Sequence, residues 1–310
     1  MRFLPKRRVT RVLLVLGLSA ALFAIPGSAN AAPKEIITKH VLKNMFQSHY
    51  SPAPPESKTS RVRTNGISYH GGPVILGTTN VYVIWYGNWP GSSTSPAIIT
   101  NLLSNIGGSP YFNINTTYYN GANVHVSNSV ALRGTASDNY SQGTALSDTG
   151  VKNVVATALA TNALPTDTNG LYFVLTSADV SETSGFLTQY CGWHDQSTIN
   201  GQDVKFAFVG DPSANLSACA AQTAKSPNGN VPADAMASVI AHELEETTTD
   251  PDLNAWYDTR GYENADKCAW TFGTTYAANG AKANMKLGGK DYLIQRNWVN
   301  ASGGYCGVKI

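Results

Sequence analysis

Residues 79–86, Thr-Asn-Val-Tyr-Val-Ile-Trp-Tyr, decide the fold class of this 310-residue chain. Most of these residues are β-branched or aromatic, and apolar side chains occupy odd and even positions alike. A strand that is apolar on both faces is typical of the interior of a sheet covered by helices. We therefore expect residues 79–86 to form a central strand of an α/β domain.

Outward from this strand, apolar periodicity predicts an alternation of helices and strands. Helices are expected at residues 96–106, with Ser95 as the cap, and at residues 151–161. Further strands are expected at residues 124–132, 171–176 and 204–209, followed by a helix at residues 233–248. The order β-α-β-α-β-β-α predicts an α/β fold with a mixed β-sheet flanked by helices, compatible with a zincin-like arrangement.

Two later regions carry less regular signal. Residues 179–203 show no clear periodicity and are expected to form a long loop, of the kind that often carries function. After Asp252 the chain is rich in turns, glycines and aromatic residues, and is expected to hold only short strands such as residues 292–295. This C-terminal region is expected to be braced by disulfides.

The first 31 residues have the pattern of a secretion signal. Five basic residues precede an apolar run at residues 12–25, and Ala29-Asn30-Ala31 gives a small-x-small cleavage pattern. We therefore expect a secreted, extracellular protein with a signal peptide at residues 1–31. Residues 32–65 are expected to be a linker or pro-segment, and residues 66–310 a single domain.

Charge argues against a nucleic-acid partner, and hydropathy argues against a membrane span after the leader. Removing the five leader cations from the formal net charge of +2 leaves about −3 for residues 32–310. No basic stripe remains to follow a nucleic-acid backbone, so a nucleic-acid partner is not expected. No segment after the leader is long and apolar enough to be expected to span a membrane. The sequence does not indicate an oligomeric state.

The four cysteines lie in the last 120 residues, and an even count in an exported chain favours two disulfides. Of the three pairings we favour the one in which each bridge closes a local loop, namely Cys191–Cys219 and Cys268–Cys306. The second bridge would tie the C-terminal tail to the segment that carries Glu263.

The chemically most informative segment is the helix expected at residues 233–248, which begins after Pro232. Its apolar stripe consists of Met236, Val239, Ile240 and Leu244. At about 100° per residue, Glu243 falls inside that stripe, and His242 and Glu246 fall along its rim. A carboxylate that faces a core needs a partner, and a bound cation would supply one.

This pattern has the form of the zinc-hydrolase helix His-Glu-x-x-His with glutamate in place of the second histidine. His242 and Glu246 would be metal ligands, and Glu243 the general base. Zinc is the expected cofactor, although two carboxylates and one histidine also suit other divalent cations such as manganese, iron or calcium. The alternative is a solvated acidic helix end, in which Glu243, Glu245 and Glu246 are simply hydrated.

A third protein ligand has two candidates. We favour Glu263, which we expect on a second short helix, with Asp266 as an outer carboxylate that orients His242. The other candidate is Asp252, ten residues after His242. For the segment Asp250-Pro251-Asp252 we favour a plain turn that ends the helix, because a residue before proline avoids helical geometry. His194, beside a cysteine and a tryptophan, is expected to be structural.

Five segments resemble the EXORDIUM, or phosphate-induced protein 1, family. They are residues 69–74 (Tyr-His-Gly-Gly-Pro-Val), 80–89 (Asn-Val-Tyr-Val-Ile-Trp-Tyr-Gly-Asn-Trp), 191–194 (Cys-Gly-Trp-His), 241–246 (Ala-His-Glu-Leu-Glu-Glu) and 249–251 (Thr-Asp-Pro). The resemblance covers roughly residues 66–306. It implies a secreted protein of the cell wall that is associated with growth, with no settled biochemical activity.

The sequence thus supports two functions of different classes. One is a secreted metal-dependent hydrolase acting on a peptide or another amide. The other is a non-catalytic extracellular or cell-wall-associated protein that binds a wall polymer such as a carbohydrate. Its aromatic residues would serve core packing or sugar stacking: Trp85, Trp89, Trp193, Trp256, Trp270 and Trp298.

Overall fold

The computed structural model describes residues 66–310, and its centre is a five-stranded sheet. The strands are β1 (Thr79–Tyr86), β2 (Val130–Asp138), β3 (Gly170–Thr176), β4 (Gly192–Ile199) and β5 (Gln202–Gly210). Their spatial order is β2-β1-β3-β5-β4. Strand β1 runs parallel to β2 and β3, β3 runs parallel to β5, and β4 is antiparallel to β5. The predicted mixed sheet is therefore confirmed, with β1 in its interior.

Three long helices accompany the sheet: α1 (Ser95–Asn105), α2 (Asp148–Ala160) and α3 (Val231–Thr249). The crossover from β1 to β2 and the crossover from β2 to β3 move in opposite directions along the sheet. Because such crossovers are right-handed, α1 and α2 lie on opposite faces. Helix α3 packs against α1 and against strands β4 and β5. The expected α/β architecture is thus confirmed.

Local signals explain the ends of helix α3. The side chain of Asn230 caps its first turn by accepting a hydrogen bond of 3.1 Å from the backbone N–H of Ala233. Pro251 follows its last turn and prevents continuation. Every residue from Ala233 to Thr249 is buried, so the helix is part of the core on all sides. The rim positions expected for His242 and Glu246 are therefore interior positions.

The predictions of one helix cap and two strands were wrong. Residue Thr94, not Ser95, is the N-cap of α1, and its side chain makes no capping bond. The strand expected at residues 124–132 begins at Val130 and continues to Asp138, and Val124 itself is 48% exposed. The loop expected at residues 179–203 contains strand β4. Strands β2 and β4 are the two edges of the sheet, where exposed polar residues alternate with less exposed ones and dilute the apolar signal.

Shorter elements complete the described region. Two-residue strands pair Ser68–Tyr69 with Trp256–Tyr257 and Ala145–Leu146 with Ser181–Glu182. Short helical turns lie at Phe112–Thr117, Pro212–Asn215, Leu216–Cys219 and Asp266–Cys268. Three hairpins follow: Tyr276–Ala278 with Ala281–Ala283, Met285–Leu287 with Lys290–Tyr292, and Asn297–Val299 with Tyr305–Gly307. The strand expected at residues 292–295 is in fact Lys290–Tyr292.

Both favoured disulfides, Cys191–Cys219 and Cys268–Cys306, are present. The first lies immediately before strand β4, and the second fixes the end of the turn Asp266–Cys268. Within residues 66–310, helices fall short of the length and apolar character that crossing a bilayer requires. The expected signal peptide at residues 1–31 and linker at residues 32–65 lie outside the described residues.

Candidate metal centre

The acidic end of helix α3 is not hydrated. His242 is 1% exposed, and Glu243, Glu245 and Glu246 are 0% exposed. The solvated helix end is therefore excluded. An ionised carboxylate at such a depth is costly unless a charge or hydrogen bonds compensate it.

His242 lies between two carboxylates. Its Nε2 atom is 3.0 Å from Oε1 of Glu246, one helical turn further on, and 3.6 Å from Oδ1 of Asp266. The backbone N–H of Asp266 donates to the same Oε1 of Glu246 over 3.1 Å, which ties the turn Asp266–Cys268 to helix α3. The carboxylate that joins His242 and Glu246 is therefore that of Asp266, which the sequence suggested as an outer partner.

His194 on strand β4 approaches the helix from the sheet. Its Nδ1 atom is 3.4 Å from Oε2 of Glu243 and 3.5 Å from Oε2 of Glu246, and its Nε2 atom is 3.6 Å from Oε1 of Glu263. Its ring is thus placed among acids, and not merely beside Trp193 as the sequence suggested.

Gly192 allows this close packing of strand and helix. A Cβ atom there would lie 2.6 Å from Cγ1 of Val239 and 3.0 Å from Oε1 of Glu243. Because real Cβ atoms do not approach other atoms that closely, any larger residue would push β4 away from α3.

Glu263 lies in the loop before the turn Asp266–Cys268, not on a second helix as expected. Its side chain is 0% exposed, and neither carboxylate oxygen has a hydrogen-bond partner among residues 66–310. The alternative candidate, Asp252, is partly exposed, and its Oδ1 lies 3.9 Å from Nζ of Lys205. Asp250-Pro251-Asp252 forms the expected turn, in which Oδ1 of Asp250 accepts backbone N–H bonds from Asn254 and Ala255.

Two groups of three side chains in the described region have the spacing of metal ligands. They are His194, Glu243 and Glu246, and His242, Glu246 and Asp266, and the ligand atoms of each group lie within 4.8 Å of one another. Two atoms bound at about 2.1 Å to one tetrahedral ion lie about 3.4 Å apart. The separations of 3.4 and 3.5 Å from Nδ1 of His194 to Glu243 and Glu246 match that value and exceed normal hydrogen-bond lengths. The residues therefore fit a divalent cation in donor type and spacing.

The electrostatics are those of acids crowded in a dry interior. Burial alone would lower the pKa of His194 and of His242, but the surrounding carboxylates raise both well above the usual value. Burial favours protonation of Glu246 too, yet the two imidazoles lower its pKa to about 2. Burial raises the pKa of Glu263 well above its usual value and that of Asp266 to about 7. Protons and a cation would therefore compete for the same atoms.

Glu245 points away from this centre. Its Oε2 atom accepts a hydrogen bond from Nδ2 of Asn297, and burial raises its pKa well above the usual value. It is a buried acid with a different neighbourhood from Glu246, although the two are adjacent in sequence.

An open cleft of about 360 Å³ lies beside the first half of helix α3. Its walls include Ser238, Val239, Trp270 and Gln295. It is not lined by the six residues of the centre, namely His194, His242, Glu243, Glu246, Glu263 and Asp266. Val239 precedes Glu243 by one helical turn, so the cleft borders the turn of helix α3 before Glu243.

The chain matches the family model of the phosphate-induced protein 1 conserved region over residues 67–292. It is 31% identical to protein EXORDIUM-like 5 of Arabidopsis thaliana over 274 residues, which cover 75% of each chain. It is 32% identical to protein EXORDIUM-like 3 of the same plant over 281 residues, or 77% of this chain and 82% of the relative. Protein PHOSPHATE-INDUCED 1 of Nicotiana tabacum is 28% identical over 220 residues, or 62% and 67%. No solved structure matches the chain.

Proposed function

The chain belongs to the phosphate-induced protein 1 family, and we propose from its site that it is an exported metal-dependent hydrolase, because the names of its relatives specify no reaction. The main support is the convergence of two imidazoles and four carboxylates from helix α3, strand β4 and the 263–266 segment in one buried cluster. Structural carboxylates usually have hydrogen bonds or cationic side chains as partners, whereas Glu263 has neither among residues 66–310 except the ring of His194 at 3.6 Å.

In this proposal His242, Glu246 and either Glu263 or Asp266 hold a divalent cation, with zinc as the first candidate. The cation supplies polarisation of a scissile carbonyl and a lowered pKa of a water molecule. Glu243, which follows the ligand His242 directly, moves the proton from that water to the leaving group. A peptide or another amide is the substrate class that this chemistry suits.

The first test is elemental analysis of the full chain purified without added metal, beside the variant His242→Ala. At least one equivalent of zinc, manganese or iron is expected in the parent protein, with most of it lost in the variant. His125→Ala is the matched control, because His125 is exposed and hydrogen-bonds only to the Thr116 carbonyl among the described residues. Metal content well below one equivalent, or equal in His242→Ala and the parent, would exclude the metal centre.

Hydrolysis is tested separately with a library of quenched fluorescent peptides. Cleavage is expected with the loaded protein, absent after chelation, and restored by the metal found in the elemental analysis. Glu243→Gln should lose cleavage. A fully loaded protein that cleaves no peptide would exclude peptidase activity and leave metal binding intact.

A second candidate is a non-catalytic, wall-associated module that a buried cation holds together. Its support is the burial of all six side chains at 0–4% exposure, since structural metal sites are closed and catalytic ones keep an open position. None of the six tryptophans is fully exposed, which favours packing over sugar stacking for most of them. Binding to insoluble polysaccharide tests this function: partition into the pellet is expected to rise with polysaccharide, and equal partition without it would contradict the idea.

A further inference from the structure

We infer that the centre holds two divalent cations, bridged by the carboxylate of Glu246. This inference rests on the proposed metal centre and specifies the number of cations that the centre holds. The geometry that points to it is the orientation of Glu246, whose two oxygens face two different histidines. Oε1 lies 3.0 Å from Nε2 of His242, and Oε2 lies 3.5 Å from Nδ1 of His194.

Each oxygen belongs to its own set of ligands. On the Oε2 side are His194 and Glu243, and on the Oε1 side are His242 and Asp266. Glu246 is the residue that both sets share. A single cation would use one set and leave the carboxylates of the other set buried without a cation, which is costly.

The size of each set fits one ion. The three atoms of each set lie between 3.0 Å and the limit of 4.8 Å apart, so they surround a point roughly 1.7–2.8 Å from each of them. Bonds of about 2.0–2.2 Å are usual for zinc and about 2.3–2.6 Å for calcium. Two such ions that share one carboxylate lie about 3.5–4 Å apart in known two-metal sites.

Charge balance also favours two cations. Glu243, Glu246, Glu263 and Asp266 carry four negative charges when ionised, and ligating imidazoles are neutral. Among residues 66–310, the only cationic side chains within ion-pairing distance of the three glutamates are the two histidines. One dication leaves two buried charges uncompensated, whereas two dications neutralise the set. The C-terminal end of helix α3, where Glu246 lies, favours positive charge as well.

Glu263 supplies a further ligand. Both of its oxygens are buried without hydrogen-bond partners in the described region, and Oε1 is on the Nε2 side of His194. Its carboxylate faces the Nε2 atom of His194 and is therefore available to a cation bound at that ring nitrogen. With two cations Glu243 is itself a ligand, so its loss removes a cation and not only a base.

The experiment uses the full chain, loaded with Mn²⁺ alone and freed of excess metal by gel filtration. Manganese per chain is measured by mass spectrometry, and the pairing of the ions by low-temperature electron paramagnetic resonance. We expect two equivalents and the broad multiline spectrum of an exchange-coupled pair. One equivalent with a six-line spectrum would overturn the two-cation inference and leave the proposed metal centre standing. No bound manganese here, together with no bound zinc in the elemental analysis, would overturn both the two-cation inference and the proposed metal centre. Two equivalents of manganese without coupling would overturn the Glu246 bridge.

Two single variants provide an independent check. Glu243→Gln and Asp266→Asn should each reduce loading from two equivalents to one and abolish the coupled spectrum. Full loading of Glu243→Gln would assign Glu243 to the base role and contradict the two-cation centre. Circular dichroism establishes whether each variant is folded. If one variant is unfolded, the electron paramagnetic resonance spectrum of the parent protein decides whether the centre holds two cations.

Discussion

Nδ1 of His194 lies 3.4 Å from Oε2 of Glu243, although the two residues are 49 positions apart in the chain. The contact joins strand β4 at the edge of the sheet to the middle of helix α3. Both side chains are fully buried, so they share one dry environment. This places a histidine from the sheet on the same centre as the His-Glu-x-x-Glu motif of the helix.

His194→Ala should reduce the response of thermal stability to added metal. A ligand that binds only the folded state stabilises it by an amount that grows with the logarithm of its affinity. We expect zinc to raise the midpoint of the parent protein clearly more than that of His194→Ala, which keeps only the ligand set of His242, Glu246 and Asp266. The loss of affinity should exceed the roughly 10–100-fold typical for removal of an outer partner. Differential scanning fluorimetry with and without chelator measures the effect.

His70→Ala is the control for this experiment. His70 is exposed, its ring stacks on Tyr257, and its Nε2 atom hydrogen-bonds with the Tyr257 carbonyl. It should keep the full metal response. A similar zinc shift in His194→Ala and in the parent would show that His194 only packs beside the centre.

Adjacent glutamates should differ in their response to the same substitution. Glu246→Gln is expected to remove most of the bound metal, because both of its oxygens face histidines. Glu245→Gln should retain it, because an amide can still accept the hydrogen bond from Asn297. Elemental analysis of both variants is the measurement. Equal metal loss in both would mean that general disturbance of helix α3, and not ligand removal, causes it.

The fold was predictable from sequence where the signal is local. Strand β1 carries apolar residues on both faces, and helix α3 carries a cap, an early proline and a regular apolar stripe. Strands β2 and β4 were misplaced, because the exposed polar positions of an edge strand resemble those of a loop. The motif on helix α3 was visible, whereas the approach of His194 depends on the pairing of β4 with β5. The sequence feature that pointed to His194 was the Cys191-Gly192-Trp193-His194 segment, which lies in a region predicted to be a loop.

Gly192→Ala should destabilise the protein by about 1–3 kcal/mol, the usual cost of overpacking a core. The added methyl group would meet Val239 at 2.6 Å and Glu243 at 3.0 Å. Because it separates His194 from helix α3, we also expect weaker metal binding. Denaturant unfolding of the metal-free protein gives the first quantity, and metal titration gives the second.

Gly91→Ala is the matched glycine substitution. No atom lies within 4 Å of the position its Cβ would take, so both quantities should stay close to those of the parent. Unchanged stability in Gly192→Ala would contradict the close packing of β4 on α3.

Alkaline pH should weaken the fold through Tyr82 on strand β1. Burial and then the hydrogen bond to Asp167, 3.1 Å long, raise the pKa of Tyr82 to about 12. In the unfolded chain a tyrosine ionises near pH 10. The contribution of the neutral phenol to folding is therefore complete below about pH 10 and is lost as the pH rises through about 12.

Tyr82→Phe should lose about 1 kcal/mol at neutral pH, the usual value of one hydrogen bond. Its free energy of unfolding should then fall less steeply than that of the parent between pH 10 and 12. Urea unfolding of the two proteins at matched pH values isolates this residue, because the remaining tyrosines, including the stacked Tyr172, are common to both. Parallel curves across that interval would show that Tyr82 ionises as freely in the folded protein as in the unfolded chain.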